Sequence, residues 1–123
     1  MVLVVDPSGE GLGKVLRDYQ EEALRFIWTE GDEGVGSKKV YLHVNEALRG
    51  VRTISRASII NFLNAMVDEG VLGYVTVSGK GGYRRSYSGK MDERGFKVYI
   101  AETVIRSLLR DFPEETREVI REL

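Results

Sequence analysis

The feature that most narrows the fold of this chain is a change of period near residue 71. Before it, apolar side chains recur at helical spacing in three stretches; after it, β-branched and aromatic residues follow a spacing of two. Leu16, Tyr19, Ala23, Phe26 and Ile27 make the first stripe, which stops in the glycine-rich run Glu30-Gly31-Asp32-Glu33-Gly34-Val35-Gly36. Ser37 is the expected N-cap of a second, short helix buried through Val40, Val44, Ala47 and Leu48 and ended by Gly50. Ser55 is the expected cap of a third, with Ile59, Phe62, Leu63, Met66 and Val67 inward and Gly70 as its stop.

The alternating segments are Val71 to Val77 and Tyr83 to Tyr87, linked by Ser78-Gly79-Lys80-Gly81-Gly82, and they predict a hairpin with a mobile, basic tip. Three helices followed by a hairpin is the order of a winged helix-turn-helix, in which the third helix enters a DNA major groove and the wing touches the flanking backbone. A long helix opening at Asp92 and Glu93 and running to about Arg110 comes next, then a short one starting at Pro113. The expected fold is therefore mainly α with a small β-hairpin: an N-terminal arm at 1–15, a winged domain at 16–90 and C-terminal helices at 91–123. Residues 2–5 are read as an edge strand or part of that flexible arm. The glycines at 9, 11 and 13 suggest a phosphate loop, but Ser8 and Val15 stand where its spacing requires Gly and Ser or Thr.

Charge is segregated along the chain. The formal total is only −1, yet residues 37–90 carry nine Lys and Arg against three acids, while 1–36 hold three against eight and 91–123 six against eight. A basic middle between acidic ends points to a polyanion facing the middle. Lys38 and Lys39 lie where a helix N-terminus already favours phosphate, and Lys80, Arg84 and Arg85 lie on the wing. On the third helix Ala57, Ile60, Asn61, Asn64 and Asp68 face away from the buried stripe, with Arg56 and Ser58 at its start. Asn, Arg and Ser are groove-reading side chains, so the expected DNA contacts are Asn61 and Asn64 with Arg52, Thr53, Ser55, Arg56 and Ser58.

The same sequence offers catalysis little footing. Without cysteine there is no disulfide, thiolate zinc site or thiol nucleophile, and the lone His43 has no second His to share a metal with. Its expected role is that of a satisfied boundary residue. No enzyme activity, cofactor or metal is expected, and the absence of a long apolar run or basic leader makes the expectation a cytoplasmic protein with no membrane partner.

In the C-terminal region Phe96, Ile100, Val104, Leu108 and Phe112 form one row at a spacing of four, and Ala101, Ile105 and Leu109 an adjacent one. One domain covers one stripe, so two rows suggest a second copy; the expected dimer contacts are Phe96, Ile100, Val104, Ile105, Leu108, Leu109, Phe112 and Ile120.

From Tyr19 to about Leu123 the chain resembles the penicillinase and methicillin-resistance repressors. The residues that carry the resemblance are Glu22-Ala23-Leu24-Arg25-Phe26-Ile27-Trp28, then Ser55, Ser58-Ile59, Phe62-Leu63 and Met66, then Gly70-Val71-Leu72. The resemblance implies dimeric winged-helix regulators that pair through the helices after the wing. It departs at Ile60, where the family commonly has a basic residue, so its DNA preference does not carry over. It also implies an inducer or inducing event, but the Asn-Phe pair cleaved in the family's resistance repressors is absent after residue 90 and the C-terminal cysteines of its copper-responsive members are missing, leaving the inducer open. The expectation is a homodimeric repressor of a palindromic operator. Two other readings share the fold: an architectural DNA binder of low specificity, and a winged-helix protein-interaction module.

Overall fold

The computed structural model describes residues 3–123, in two compact units that divide after Asp92. The first holds α1 (Asp18–Glu30), β1 (Val35–Gly36), α2 (Ser37–Ala47), α3 (Arg56–Asp68), β2 (Leu72–Gly79) and β3 (Gly82–Gly89). The second holds α4 (Glu93–Asp111) and α5 (Pro113–Glu122). The molecule is mainly helical with a small antiparallel sheet, and the first unit has a winged-helix layout.

Its core is where the three helical stripes meet. Leu24, Ile27, Val40, Val44, Ile59, Leu63, Met66, Val71 and Leu72 are all fully buried; each such side chain contributes about 1.5–3 kcal/mol relative to exposure. Leu24 was not in the expected stripe, whereas Phe26 was and is only half-buried, stacked on His43 with ring centroids 4.2 Å apart. Ala47, expected inside, is exposed. Leu48, also expected inside, is buried and closes that face at the end of α2.

The stretch before α1 differs from a flexible arm. Gly11–Lys14 is a 3-10 helix that buries Leu12, and the segment is closed on itself by Asp6 N to Lys14 O at 2.7 Å and Lys14 Nζ to Gly9 O at 2.6 Å. The strand or arm expected at 2–5 begins at Val2, outside the described residues; residues 3–5 pair with no strand. Leu16 is buried but precedes α1, whose N-cap is Arg17.

The glycine-rich run after α1 holds a strand that alternation over so short a span did not reveal. Val35 pairs with Tyr87 and Gly36 with Ser86, so the sheet has three strands in the order β1-β3-β2 rather than a bare hairpin. Gly34 makes the turn possible: its φ is +79°, and a Cβ there would lie 2.6 Å from Ser86 Oγ. The chain then passes from β1 directly into α2, which moves the N-cap to Gly36 and makes Ser37 the first helical residue, not the cap. At Ser55 the expectation holds, since its Oγ accepts from Ser58 N at 3.1 Å.

The hairpin is longer than its alternating residues suggested. Register runs from Leu72 opposite Gly89 to Gly79 opposite Gly82, leaving only Lys80 and Gly81 as the loop, with Gly81 at φ +89°. Side chains of Tyr74, Thr76, Ser78, Tyr83, Arg85 and Tyr87 share one face of the wing, and Val75, Val77, Arg84 and Ser86 the other.

In the second unit, α4 carries Glu93–Lys97 and Glu102–Arg106 ion pairs at spacing four, 2.7 and 2.8 Å long, and Pro113 opens α5. Phe96 is its sole buried side chain; from Lys97 to Leu123 every residue is at least partly exposed. That corrects one expectation, since a fully buried Phe96 has no surface to give a partner.

Candidate nucleic-acid interface

The expected contact residues fall into three groups. Lys38 and Lys39 at the start of α2, Arg56 at the start of α3, and Arg84 and Arg85 on β3 line one cleft of about 540 Å³ that no carboxylate enters. They come together because β1 lies beside β3 and feeds straight into α2, bringing the first turn of α2 against the wing. Lys38 and Arg84 are exposed and hold no ion pair among the described residues. Lys39 approaches Glu30 only to 3.8 Å and stays largely exposed, a pair of little energetic weight. Arg56 Nη2 donates to Ser37 Oγ at 3.4 Å.

The second group is the outward face of α3. Ala57 and Asn61 are exposed, Ile60 and Asn64 half-buried, and Asp68 sits exposed at the far end. Asn61 makes no hydrogen bond within the described residues and so keeps both its donor and acceptor ends. Asn64 is different. Its Oδ1 accepts from Tyr87 Oη at 2.7 Å and from Arg85 Nη1 at 3.0 Å, which ties the wing to the helix. Arg85 in turn lies over the Tyr74 ring, 3.9 Å from its centroid. Burial raises the Tyr87 phenol above the usual tyrosine range and outweighs the Arg85 cation, which lowers it. Tyr87 is therefore a neutral donor at physiological pH.

The remaining residues do not join either surface. Arg52 pairs with Asp18 at 3.3 Å, and with exposed Thr53 it lines a separate cleft at the turn between α2 and α3. Ser55 and Ser58 serve the helix start: Ser55 Oγ takes Ser58 N and donates to Ser58 Oγ at 2.9 Å. Lys80 stands alone at the wing tip, beside Tyr83, which is 81% exposed.

Sequence reading missed Asn45, Tyr74 and Tyr87. Asn45 Oδ1 accepts from Ile54 N at 2.8 Å while Nδ2 donates to Tyr41 O and Ile54 O, so this side chain pins the turn that sets α3 against α2. No local signal separates it from Asn61 or Asn64, because what differs is the partner nine residues away. His43 is stacked on Phe26 with Nε2 3.6 Å from Glu22 Oε2. Among the described residues there is no cluster of three metal-ligating side chains and no helix long and apolar enough to cross a membrane. No family model matches the chain, and no curated protein matches it.

Proposed function

We propose that the protein is a sequence-specific double-stranded DNA-binding regulator that acts in the cytoplasm as a homodimeric repressor, without catalysis. The observation that carries the reading is the carboxylate-free cleft formed by Lys38, Lys39, Arg56, Arg84 and Arg85, lying between the first turn of α2 and the wing. The cations of Lys38, Lys39, Arg56 and Arg84, with no carboxylate lining the cleft, suit a run of phosphates, and they flank a helix whose outward face bears Asn61 and Asn64. Phosphate contacts fix position on the duplex, and the asparagines supply base readout.

The dimer reading rests on the second unit. Val98, Ile105, Leu108, Phe112, Val119, Ile120 and Leu123 are all exposed in the single chain, with Ile100, Val104 and Leu109 half-buried. An apolar surface of that extent on two helices suits a two-fold partner, which would pair two recognition helices over a palindromic site. An architectural binder would need the cleft but not the asparagines; a protein-interaction module would not need the cleft.

Selection of bound duplexes from a random pool tests the reading. A palindromic consensus is expected. Recovery without sequence preference favours the architectural binder, and no recovery overturns DNA binding.

A further inference from the structure

The clamp on Asn64 fixes more than the wing. An asparagine amide usually reads adenine with both ends, accepting from N6 and donating to N7. That requires a free Oδ1. Here Oδ1 has two donors already, and one of them, the Arg85 guanidinium, has no acceptor to offer. Arg85 therefore sets the amide orientation by chemistry alone, with the oxygen turned to the wing and Nδ2 turned away from it. Tyr87 alone would not do this, since a phenol can donate or accept. Nδ2 makes no hydrogen bond within the described residues, and Asn64 is half-buried on the same face as Asn61, one turn along α3.

We propose that Asn64 is a donor-only reader of guanine, held in that state by Arg85 and Tyr87. The assignment rests on the DNA-binding reading above and sharpens it. Two N–H groups directed outward match adjacent acceptors, and in the major groove guanine presents two, N7 and O6, where adenine sets an amino donor beside its N7. Asn61, with neither end engaged, keeps the adenine pattern. The two asparagines thus read different bases although their side chains are chemically identical, and the difference originates in the wing.

The clamp is reinforced from within the hairpin. Tyr74 and Tyr87 are cross-strand partners, and Tyr74 supplies the ring beneath the guanidinium. Arg85 thus contacts one aromatic of this pair and shares the Asn64 oxygen with the other. One of its N–H groups and its stacking face are engaged inside the chain, which makes it a positioning residue and leaves Lys38 and Arg84 as the freer phosphate ligands.

The test uses the full chain and duplexes recovered from a random pool, with affinity measured for the best duplex and for every single base-pair change in it. Wild type, Asn61→Ala, Asn64→Asp and Arg85→Leu are compared, each checked for an unchanged melting temperature. Asn64→Asp keeps an acceptor for Arg85 and Tyr87 but replaces the outward donors with an oxygen. It is expected to lose at least tenfold in affinity for the best duplex, with the loss of discrimination confined to one G·C pair in each half-site. Replacing that guanine by 7-deazaguanine should weaken wild type and leave Asn64→Asp unmoved. Arg85→Leu releases the amide to turn, so adenine should become tolerated at that pair. An Asn64→Asp map identical in shape to wild type, or a map in which Asn64 discriminates for adenine, overturns the assignment while Asn61→Ala still reports a specific protein. A wild type that retains no duplex overturns both it and the reading beneath it. Should Asn64→Asp be unstable, Arg85→Leu with the 7-deazaguanine duplex decides alone: unchanged adenine rejection overturns the proposal.

Discussion

The guanidinium of Arg85 lies 3.9 Å from the centroid of the Tyr74 ring while donating to Asn64 Oδ1 at 3.0 Å. The neighbouring Arg84 points to the opposite face of the wing and holds no partner among the described residues. Two adjacent arginines in one basic wing therefore carry different work. Period two in a strand makes that separation unavoidable, since neighbours point to opposite faces.

Salt dependence should separate them. Each phosphate neutralised contributes roughly −0.9 to the slope of log affinity against log salt. Arg84→Ala should flatten that slope by about one contact and weaken all duplexes alike. Arg85→Lys preserves the charge but loses the flat, stacked guanidinium, so its slope should stay near wild type while base discrimination falls. Equal slopes for Arg84→Ala and wild type would remove Arg84 from the interface.

Base discrimination should be lost at Asn61 in a different way. Its amide is free, so Asn61→Ala is expected to cost roughly 1–3 kcal/mol at particular base pairs with little change in salt slope. Uniform weakening across sequences would place Asn61 on the backbone.

The helix start offers a separation between stability and binding. Ser55 was expected both to cap α3 and to meet DNA, and its Oγ does cap α3 through Ser58 N. Ser55→Ala should cost about 0.5–2 kcal/mol of stability. Urea denaturation checks this, and Ser55→Asp, which keeps an acceptor, should restore it. A full loss of DNA affinity in a stable Ser55→Ala protein would return this residue to the interface.

Titration of tyrosine at alkaline pH reports on the clamp. Burial raises the Tyr87 phenol above its unfolded value, so the folded state holds its proton more tightly. That contribution to stability is complete below the ordinary tyrosine range and falls as pH rises through the elevated folded value. Absorbance at the phenolate band should show a late step above the ordinary tyrosine range. Tyr87→Phe should abolish that late step.

The helices were legible because their signals are local. The Ile59, Phe62, Leu63 and Met66 stripe, the Ser55 cap and Gly70 at φ +81° all act within a few residues. The long C-terminal helix was legible for the same reason. β1 was not, since two residues cannot display alternation and their pairing with Ser86 and Tyr87 is made across fifty positions of chain. The cleft was half legible: nine basic residues in the middle marked a basic surface, but only the β1–α2 junction brings Lys38 and Lys39 to the wing. Roles of single asparagines were illegible, because the distant partners that engage Asn45 and Asn64, and leave Asn61 without one among the described residues, are set only by the fold.

Assembly is the remaining expectation, and it rests on the second unit alone. Ile105 and Leu108 are 41% and 39% exposed and Ile120 46%, while Phe96 is consumed inside the chain. Exposed apolar side chains on two helices with no buried residue beyond Phe96 have little to gain from water, and a second copy removes them from it. Changing Ile105 and Leu108 to Lys places charge on surface positions, which avoids the packing damage that a buried site would suffer. The double variant should run as a monomer at micromolar concentration where wild type runs as a dimer, measured by sedimentation. Its affinity for a full palindrome should fall to near that for a half-site, because the gain from pairing two recognition helices is lost. The acidic balance of residues 91–123, six bases against eight acids, is compatible with helices held away from phosphate. A wild type that is monomeric at that concentration, or a double variant that keeps both mass and palindrome affinity, would show that these helices do not make the dimer.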